Sequence, residues 1–274
     1  MNKVTVVTDS AASIPAELVT ALRIVVIPMS VILGHRIYPD GELGLDEVMA
    51  RVDEGLSTSG ANTGEILQTV EAIEGDVLLL TISRQMSSTH AAAVIAANMV
   101  GDRVRVLDSG TAAGAQGLVV LAAAEEAAGG KDIEAVMAAA QLVIARVRLV
   151  ATVENLARLI ASGRVPGIAA LANRWLGMNP LFQFRDGHAH ALRPAFSRDA
   201  ALDRIVASWR QSIVPGATLR VAALHAEAEE DAARILKQVT AEVSPATAFV
   251  ARFSSVMVAH TGLGLVGLAW HWEE

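Results

Sequence analysis

The chain has 274 residues, of which 53% are hydrophobic and 19% charged, so it can bury a large core and is not intrinsically disordered. Its formal net charge of -7 argues against a nucleic-acid partner, because phosphate backbones would be repelled. The absence of cysteine excludes disulfides, thiolate nucleophiles and zinc sites built on sulfur, and it fits a reducing compartment.

The apolar segments are too short to cross a bilayer. The longest of them, residues 117–124, is followed at once by Glu125 and Glu126, well short of the roughly 18 to 20 residues that a span requires. The first ten residues lack the apolar core of a signal peptide. We therefore expect a cytoplasmic protein without a membrane span.

In the first half of the chain, short β-branched runs alternate with helical patterns. We expect strands at residues 3–8, 24–29, 77–82 and 103–107, and helices at residues 15–22, 88–99 and 111–128. This alternation predicts a parallel sheet with helices on both faces. Residues 1–148 are expected to form a Rossmann-like α/β domain.

The pattern changes after residue 147. We expect strands at residues 149–153, 181–185, 189–193, 219–224, 246–252 and 265–270, and helices at residues 155–161, 199–212 and 227–239. Asp186 and Gly187 form a dipeptide typical of a hairpin turn. Residues 149–274 are expected to form an α+β domain with a mixed or antiparallel sheet.

Hydroxyl side chains follow the predicted parallel strands, where open α/β sheets bind their ligands. They form three groups, Thr8 to Ser10, Ser83 with Ser87 to Thr89, and Asp108 with Ser109. Each group also begins a helix, and helix capping explains Asp9, Ser10, Asp108 and Ser109 taken singly. Ser87, Ser88 and Thr89 differ, because three hydroxyls without a lysine at a helix start suit a carboxylate.

A second hydroxyl-rich segment, residues 57–64, is expected to be a loop, either an ordinary flexible one or part of a binding site. Near the C-terminus, His260 precedes a predicted turn between two apolar strands, and it is either structural or a ligand contact.

Residues 262–267 match GxGxxG, but only seven residues follow them, so the helix and second strand of a dinucleotide site cannot fit. His188 and His190 share a face of a predicted strand without a third ligand at a recognisable spacing. We expect neither a metal nor a cofactor.

Taken in order, these motifs resemble those of the DegV family. The matching segments, spread over nearly the whole chain, are Val7 to Ser10 with Ile14-Pro15, Thr58-Ser59 followed by Gly60-Ala61-Asn62 in place of the usual residues, Ser87-Ser88-Thr89 with Ser88 at a usual glycine, Asp108-Ser109, Ser162 to Arg164, Asn179 to Leu181, and His260 to Gly264.

The resemblance implies two α/β domains with a fatty acid buried between them. Thr58, Ser59, Ser87 and His260 would hold the carboxylate, and Ser88 and Thr261 would be additional contacts. The protein would be a non-catalytic lipid-binding protein without a cofactor.

The resemblance also implies a partner, a separate kinase that converts the bound fatty acid to an acyl phosphate for phospholipid synthesis. Arg164 would contact that kinase or the phosphate. A second basic residue would follow the hairpin, and Arg193 and Arg198 are both candidates for it, because the spacing of this segment departs from that of the family.

Two other functions remain open. Ser87 and His260, with Asp9 or Asp108, have the residue types of a serine-type acyl hydrolase, although the chain has no GxSxG motif. The pocket could also serve another small carboxylate.

Overall fold

The computed structural model describes residues 3–52, 54–154, 156–165, 177–185 and 187–274. The first half of the chain contains β1 (Val4–Asp9), α1 (Ala16–Ala21), β2 (Val25–Ile27), β3 (Ser30–Leu33), β4 (Arg36–Pro39), α2 (Leu45–Arg51), β5 (Ser57–Ser59), α3 (Thr63–Glu71), β6 (Asp76–Thr81), α4 (Thr89–Val100), β7 (Val104–Asp108), α5 (Ala113–Ala128) and α6 (Ile133–Arg146).

The second half contains β8 (Arg148–Thr152), α7 (Leu156–Ala161), β9 (Asn179–Arg185), β10 (His188–Ala195), α8 (Arg198–Arg210), β11 (Thr218–His225), α9 (Glu229–Glu242), β12 (Thr247–Arg252), α10 (Ser255–Thr261) and β13 (Val266–Glu273). Asn155 and Asp186, which belong to a predicted helix and a predicted turn, lie outside the described residues.

The first sheet is parallel and four-stranded, in the order β2-β1-β6-β7. In β6, Leu78 and Leu80 face a core shared with α5, whereas Val77 and Leu79 face a core shared with α3 and α4. Burial on both faces explains the continuous apolar run of this strand. The predicted parallel sheet with helices on both faces is confirmed.

The second sheet is mixed and six-stranded, in the order β10-β9-β8-β13-β11-β12. Only β11 and β12 run parallel, and β9 and β10 form the predicted hairpin. Val221 and Ala223 of β11 pack against α8 and α9, while Ala222 and Leu224 share the core of α5. The expected α+β half with a mixed sheet is confirmed.

Helix α5 lies between the two sheets. Every residue from Ala113 to Ala124 is buried, and α5 contacts β1 of the first sheet and β11 and β13 of the second. A Cβ at Gly114 would collide with Leu224 and would lie 2.9 Å from the Cβ of Ala222. Small residues therefore bring α5 into direct contact with the second sheet.

A third, three-stranded sheet, in the order β4-β3-β5, was not expected from the sequence. Ser57, Thr58 and Ser59 pair with Ile32, Val31 and Ser30. The expected loop at residues 57–64 is therefore wrong, because pairing with a distant strand orders its first residues. Its last residues start α3, where Asn62 and Glu65 form a capping box.

The sequence predicted no element for residues 253–259, where the structure has a helix. Ser255–Thr261 forms α10, whose first turn is capped by the Ser254 hydroxyl, and the predicted turn follows it at residues 262–264, before β13. A helix of seven residues leaves little periodic signal, and the apolar residues of α10 resemble a buried strand. Among the described residues, no helix combines the length and the apolar content needed to cross a bilayer.

Candidate functional site

A cavity of about 380 Å³ brings together the predicted head-group residues. Its polar wall contains all six of them, Thr58, Ser59, Ser87, Ser88, His260 and Thr261, together with Arg164. Its apolar wall is formed by Met29, Ile82, Met86, Leu159, Val256 and Met257. The cavity is therefore lined by hydroxyl-bearing and by aliphatic side chains, which come from segments far apart in the sequence.

Two residues of the polar wall, His260 and Thr58, are hydrogen-bonded to each other. His260 Nε2 lies 2.6 Å from Thr58 Oγ1, which joins the end of α10 to the middle residue of β5. Burial, and after it the positive charge of Arg164, lowers the pKa of His260 to about 4. The ring is therefore neutral at pH 7 and has one donor and one acceptor nitrogen.

Ser87 lies just before α4, as the sequence predicted. Its Oγ is 2.9 Å from Thr89 Oγ1 and accepts a hydrogen bond from the Thr89 backbone amide at 3.2 Å. Gly60 lies against this pair, and a Cβ there would collide with Thr89 Oγ1 and approach Ser87 Oγ to 2.7 Å. The glycine that replaces the usual family residue therefore allows the end of β5 to meet the start of α4.

Arg164 follows α7 in an exposed turn. Its backbone amide donates to Ser162 Oγ at 3.2 Å, and its guanidinium donates to the Ser162 carbonyl oxygen. Arg164 also lines an adjoining open pocket of about 570 Å³, to which Arg84 and His90 contribute. The polar end of the cavity thus continues into a region with two arginines.

Arg198 is not among the residues that line the cavity. Its Nε donates to Asp231 Oδ2 at 2.8 Å, and its Nη1 donates to the Gly264 carbonyl oxygen at 2.6 Å. Arg198 therefore holds the turn that follows His260. Arg193 lies on β10, where its carbonyl oxygen accepts a hydrogen bond from Arg204.

The arrangement does not assemble a hydrolase triad from the predicted residues. Ser87 is bonded to Thr89, and His260 to Thr58. Both carboxylates are occupied by backbone amides: Asp9 accepts from Ala11 and Ile82 and also from the Gln116 side chain, and Asp108 accepts from Arg84 and Gly110. Burial raises the pKa of Asp9 to about 6.

In the part of the chain that the structure describes, no group of three or more His, Cys, Asp or Glu residues is arranged to hold a metal ion. His188 and His190 lie on β10 as expected.

The apolar wall of the cavity was not predicted from the sequence. Met86 could have been found as the neighbour of Ser87. Val256 and Met257 precede His260 by four and three residues, a spacing that places them on its face only once α10 is recognised as a helix. Met29 and Leu159 carry no local signal that separates them from core residues.

The fold and the cavity can be compared with known proteins. The family model described as "Uncharacterised protein, DegV family" matches residues 3–273. A DegV domain-containing protein of Streptomyces coelicolor is 30% identical over 275 residues, with 97% of each chain covered. One of Deinococcus radiodurans is also 30% identical, over 274 residues and 97% of each chain.

Solved structures agree with this assignment. A structure described as fatty acid binding of a DegV family protein from Thermus thermophilus has a TM-score of 0.91 and 28% identity, covering 99% of this chain and 100% of that one. DegV of Bacillus subtilis, described as a fatty acid binding protein, has a TM-score of 0.86 and 26% identity, with 100% of each chain covered. The resemblance seen in the sequence is confirmed, and the chain belongs to the DegV family.

Proposed function

We propose that this protein binds a long-chain fatty acid in the 380 Å³ cavity, without catalysing a reaction itself and without a cofactor. The observation that supports the proposal is the convergence of Thr58, Ser59, Ser87 and His260 on one cavity that is also lined by aliphatic side chains. The two solved relatives at 28% and 26% identity are described as fatty acid binding, which supports the same ligand class.

The apolar wall supplies the affinity for the acyl chain. Burial of each methylene contributes about 0.8 kcal/mol, so a tail of about fourteen gives a gross term near 11 kcal/mol before ordering and association costs. Met29 and Met257 are buried in this wall, and the flexible side chain of methionine adapts to irregular shapes.

The polar wall offsets the cost of removing the ligand's carboxylate from water. Burial of a carboxylate without hydrogen-bond partners would cost several kcal/mol. The Ser87 hydroxyl and the bonded pair Thr58 and His260 are the donors we assign to it. One proton of the pair lies in its own hydrogen bond, so one of the two partners donates to the carboxylate. Ser59 is a weaker candidate, because its hydroxyl donates to the Gly60 carbonyl oxygen at 3.2 Å. Ser88 is a further candidate. Thr261 is a weaker one, because its hydroxyl already donates to the backbone of α10 at Met257.

We further propose that the carboxylate is presented to a separate kinase in the cytoplasm, which forms an acyl phosphate for phospholipid synthesis. The open pocket beside the polar wall supports this step, since Arg84 and Arg164 place positive charge where phosphoryl oxygens would arrive. Arg164 is our candidate for the contact with the kinase or the phosphate. For Arg198, a kinase-binding role remains a proposal that rests on the resemblance.

The ligand lies, in this proposal, between the two predicted domains, residues 1–148 and 149–274. In support, the cavity is lined by residues 29 to 88 from the first range and residues 159 to 261 from the second.

Native mass spectrometry of the recombinant protein, followed by organic extraction, tests the ligand class. We expect a co-purifying C14 to C18 fatty acid. An apo mass that does not shift with added palmitate would contradict the proposal. Turnover of a nitrophenyl ester would favour a hydrolase. If short carboxylates compete more strongly than palmitate, the natural ligand is another small carboxylate.

A further inference from the structure

Helix α10 supplies a large part of the cavity wall but is short. It contributes Val256, Met257, His260 and Thr261 to the cavity, and it has only seven residues. Helices of this length have little stability of their own, because nucleation costs more than a few backbone hydrogen bonds return. The position of His260 therefore depends on the tertiary contacts of α10, both the packing of its buried residues and the hydrogen bonds at its ends.

Asp40 holds the beginning of α10. This residue follows β4, and its Oδ1 accepts a hydrogen bond from the Val256 backbone amide at 3.0 Å. Its Oδ2 accepts from the Ser10 hydroxyl at 2.6 Å, which fixes the orientation of the carboxylate. A carboxylate at this place satisfies one of the free amides of the first helical turn and complements their positive charge.

The same group of atoms fixes a second part of the cavity wall. The Asp40 backbone amide donates to the Met29 carbonyl oxygen at 2.7 Å, and the Met29 amide donates to Ser10 Oγ at 3.1 Å. Both backbone polar groups of Met29 are thus held by Asp40 and Ser10. Met29 lines the cavity together with Val256.

We propose that Asp40 is a positioning residue for the fatty-acid site, which sets the place of His260 by tethering α10 to Ser10 and to the Met29 backbone. Val256 and His260 are one helical turn apart, so a displacement at the tether moves the ring with the helix. The bonds of Ser10 to Asp40 and to the Met29 amide also give this serine a role other than helix capping, which was one explanation for it in the sequence. The link to ligand affinity rests on the proposed function, whereas the link to His260 does not.

The experiment compares Asp40→Ala and Asp40→Asn with Glu42→Ala. Glu42 lies two residues further on, is exposed and carries the same charge, so its removal is a matched control. The readouts are palmitate affinity and the titration midpoint of the His260 ring, measured by NMR in the ligand-free protein. The His260 signal is assigned with His260→Ala.

In Asp40→Ala we expect palmitate to bind about tenfold more weakly, as for loss of one charge-assisted hydrogen bond. We also expect the His260 midpoint to move from about 4 toward 6.5, because a displaced helix exposes the ring. Asp40→Asn should keep both properties close to those of the wild type, since its amide can accept from Val256 and donate to Ser10. Glu42→Ala should change neither.

An unchanged His260 midpoint in Asp40→Ala would overturn the proposal, even if affinity fell, because the role of Asp40 would then be only structural. An equal shift in Glu42→Ala would overturn it as a general charge effect. If Asp40→Ala does not fold, Ser10→Ala replaces it as the test. We then expect a smaller upward shift of the His260 midpoint, and an unchanged midpoint would contradict the proposal. If the wild type fails to bind palmitate, the proposed function is wrong, and the midpoints still test the role of Asp40.

Discussion

The hydrogen bond between His260 Nε2 and Thr58 Oγ1 joins residues that are 202 positions apart in the sequence, one on a helix and the other on a strand. The strand, β5, is held by pairing with β3, and the helix, α10, is tethered at its first turn. The polar wall of the cavity therefore exists only in the folded chain. Its chemistry can be tested one atom at a time.

Replacing Thr58 by valine removes the hydroxyl and keeps the shape of the side chain. We expect Thr58→Val to weaken fatty-acid binding by about 1 to 3 kcal/mol, because a buried polar ring loses its partner. Titration calorimetry with palmitate measures the change. Thr240→Val, at an exposed position on α9, is the control, and an equal loss there would contradict our assignment.

Loss of the Ser87 hydroxyl should act on the ligand directly. Ser87→Ala is expected to cost about 1 to 3 kcal/mol of binding free energy, as is His260→Ala. Ser208→Ala, on the outer helix α8, should bind as the wild type does. If fluorescent fatty-acid displacement gives wild-type affinity for both site variants, the head-group assignment is wrong.

A methyl group at Gly60 should disturb the same hydroxyl without removing it. The new Cβ of Gly60→Ala would approach Ser87 Oγ to 2.7 Å, and overpacking of this kind costs about 1 to 3 kcal/mol. We expect lower ligand affinity and a lower melting temperature. Gly44→Ala is the matched control, because no heavy atom lies within 4 Å of its added Cβ. Equal effects of the two substitutions would contradict the proposed contact.

Arg164→Ala separates ligand binding from presentation to the kinase. We expect palmitate affinity to stay within about twofold of the wild-type value, because Arg164 is exposed and the hydroxyls remain. Phosphorylation by a cognate kinase subunit should fall strongly. The pKa of His260 should rise, because Arg164 lowers it in the wild type. Parallel loss of binding and phosphorylation would instead indicate a damaged cavity, and Arg51→Ala, at a partly exposed position on α2, serves as the control.

The pH dependence of stability follows from two buried histidines. Burial is the main reason why the pKa values of His260 and His271 are lowered to about 4. Between pH 6.5 and 4 the unfolded chain binds protons that the folded chain does not, so acidification through this window costs about 3 kcal/mol per histidine. Asp9 acts in the opposite direction between pH 3.8 and 6, because its pKa is raised to about 6.

His271→Leu should therefore flatten the pH profile. Both ring nitrogens of His271 are buried without a hydrogen-bond partner in the described part of the chain, so leucine loses little at pH 7. Urea unfolding at pH 7 and pH 4.5 measures the difference in unfolding free energy. His35→Asn, in the exposed turn between β3 and β4, should leave the profile unchanged. If the unfolding free energy of His271→Leu falls between pH 7 and pH 4.5 as much as that of the wild type, His271 does not contribute to the pH dependence.

The parts of the fold that the sequence predicted are those with strong local patterns. The run Leu78 to Leu80 indicates a strand buried on both faces, and the alanine-rich run of α5 indicates a buried helix. By contrast, β3, β4 and β5 have three or four residues each and are ordered by pairing with one another. Such pairing leaves no periodic signal within any one segment.

The site divides in a similar way. Thr58, Ser87 and His260 were found because hydroxyls and histidines at strand ends and turns point to chemistry, and because their order resembles that of a family. Met29 and Met257 were not found, because a cavity wall and a packed core use the same apolar residues. The role of Asp40 was also missed, since its partners Ser10 and Val256 are 30 and 216 positions away.

The placement of α5 has a consequence for how the molecule unfolds. This helix covers one face of the parallel sheet and one face of the mixed sheet, with Gly114 against β11. A chain cut near residue 148 would leave the mixed sheet with an uncovered face of Ala222 and Leu224. We therefore expect the two halves to unfold together, and neither half to persist as a stable fragment.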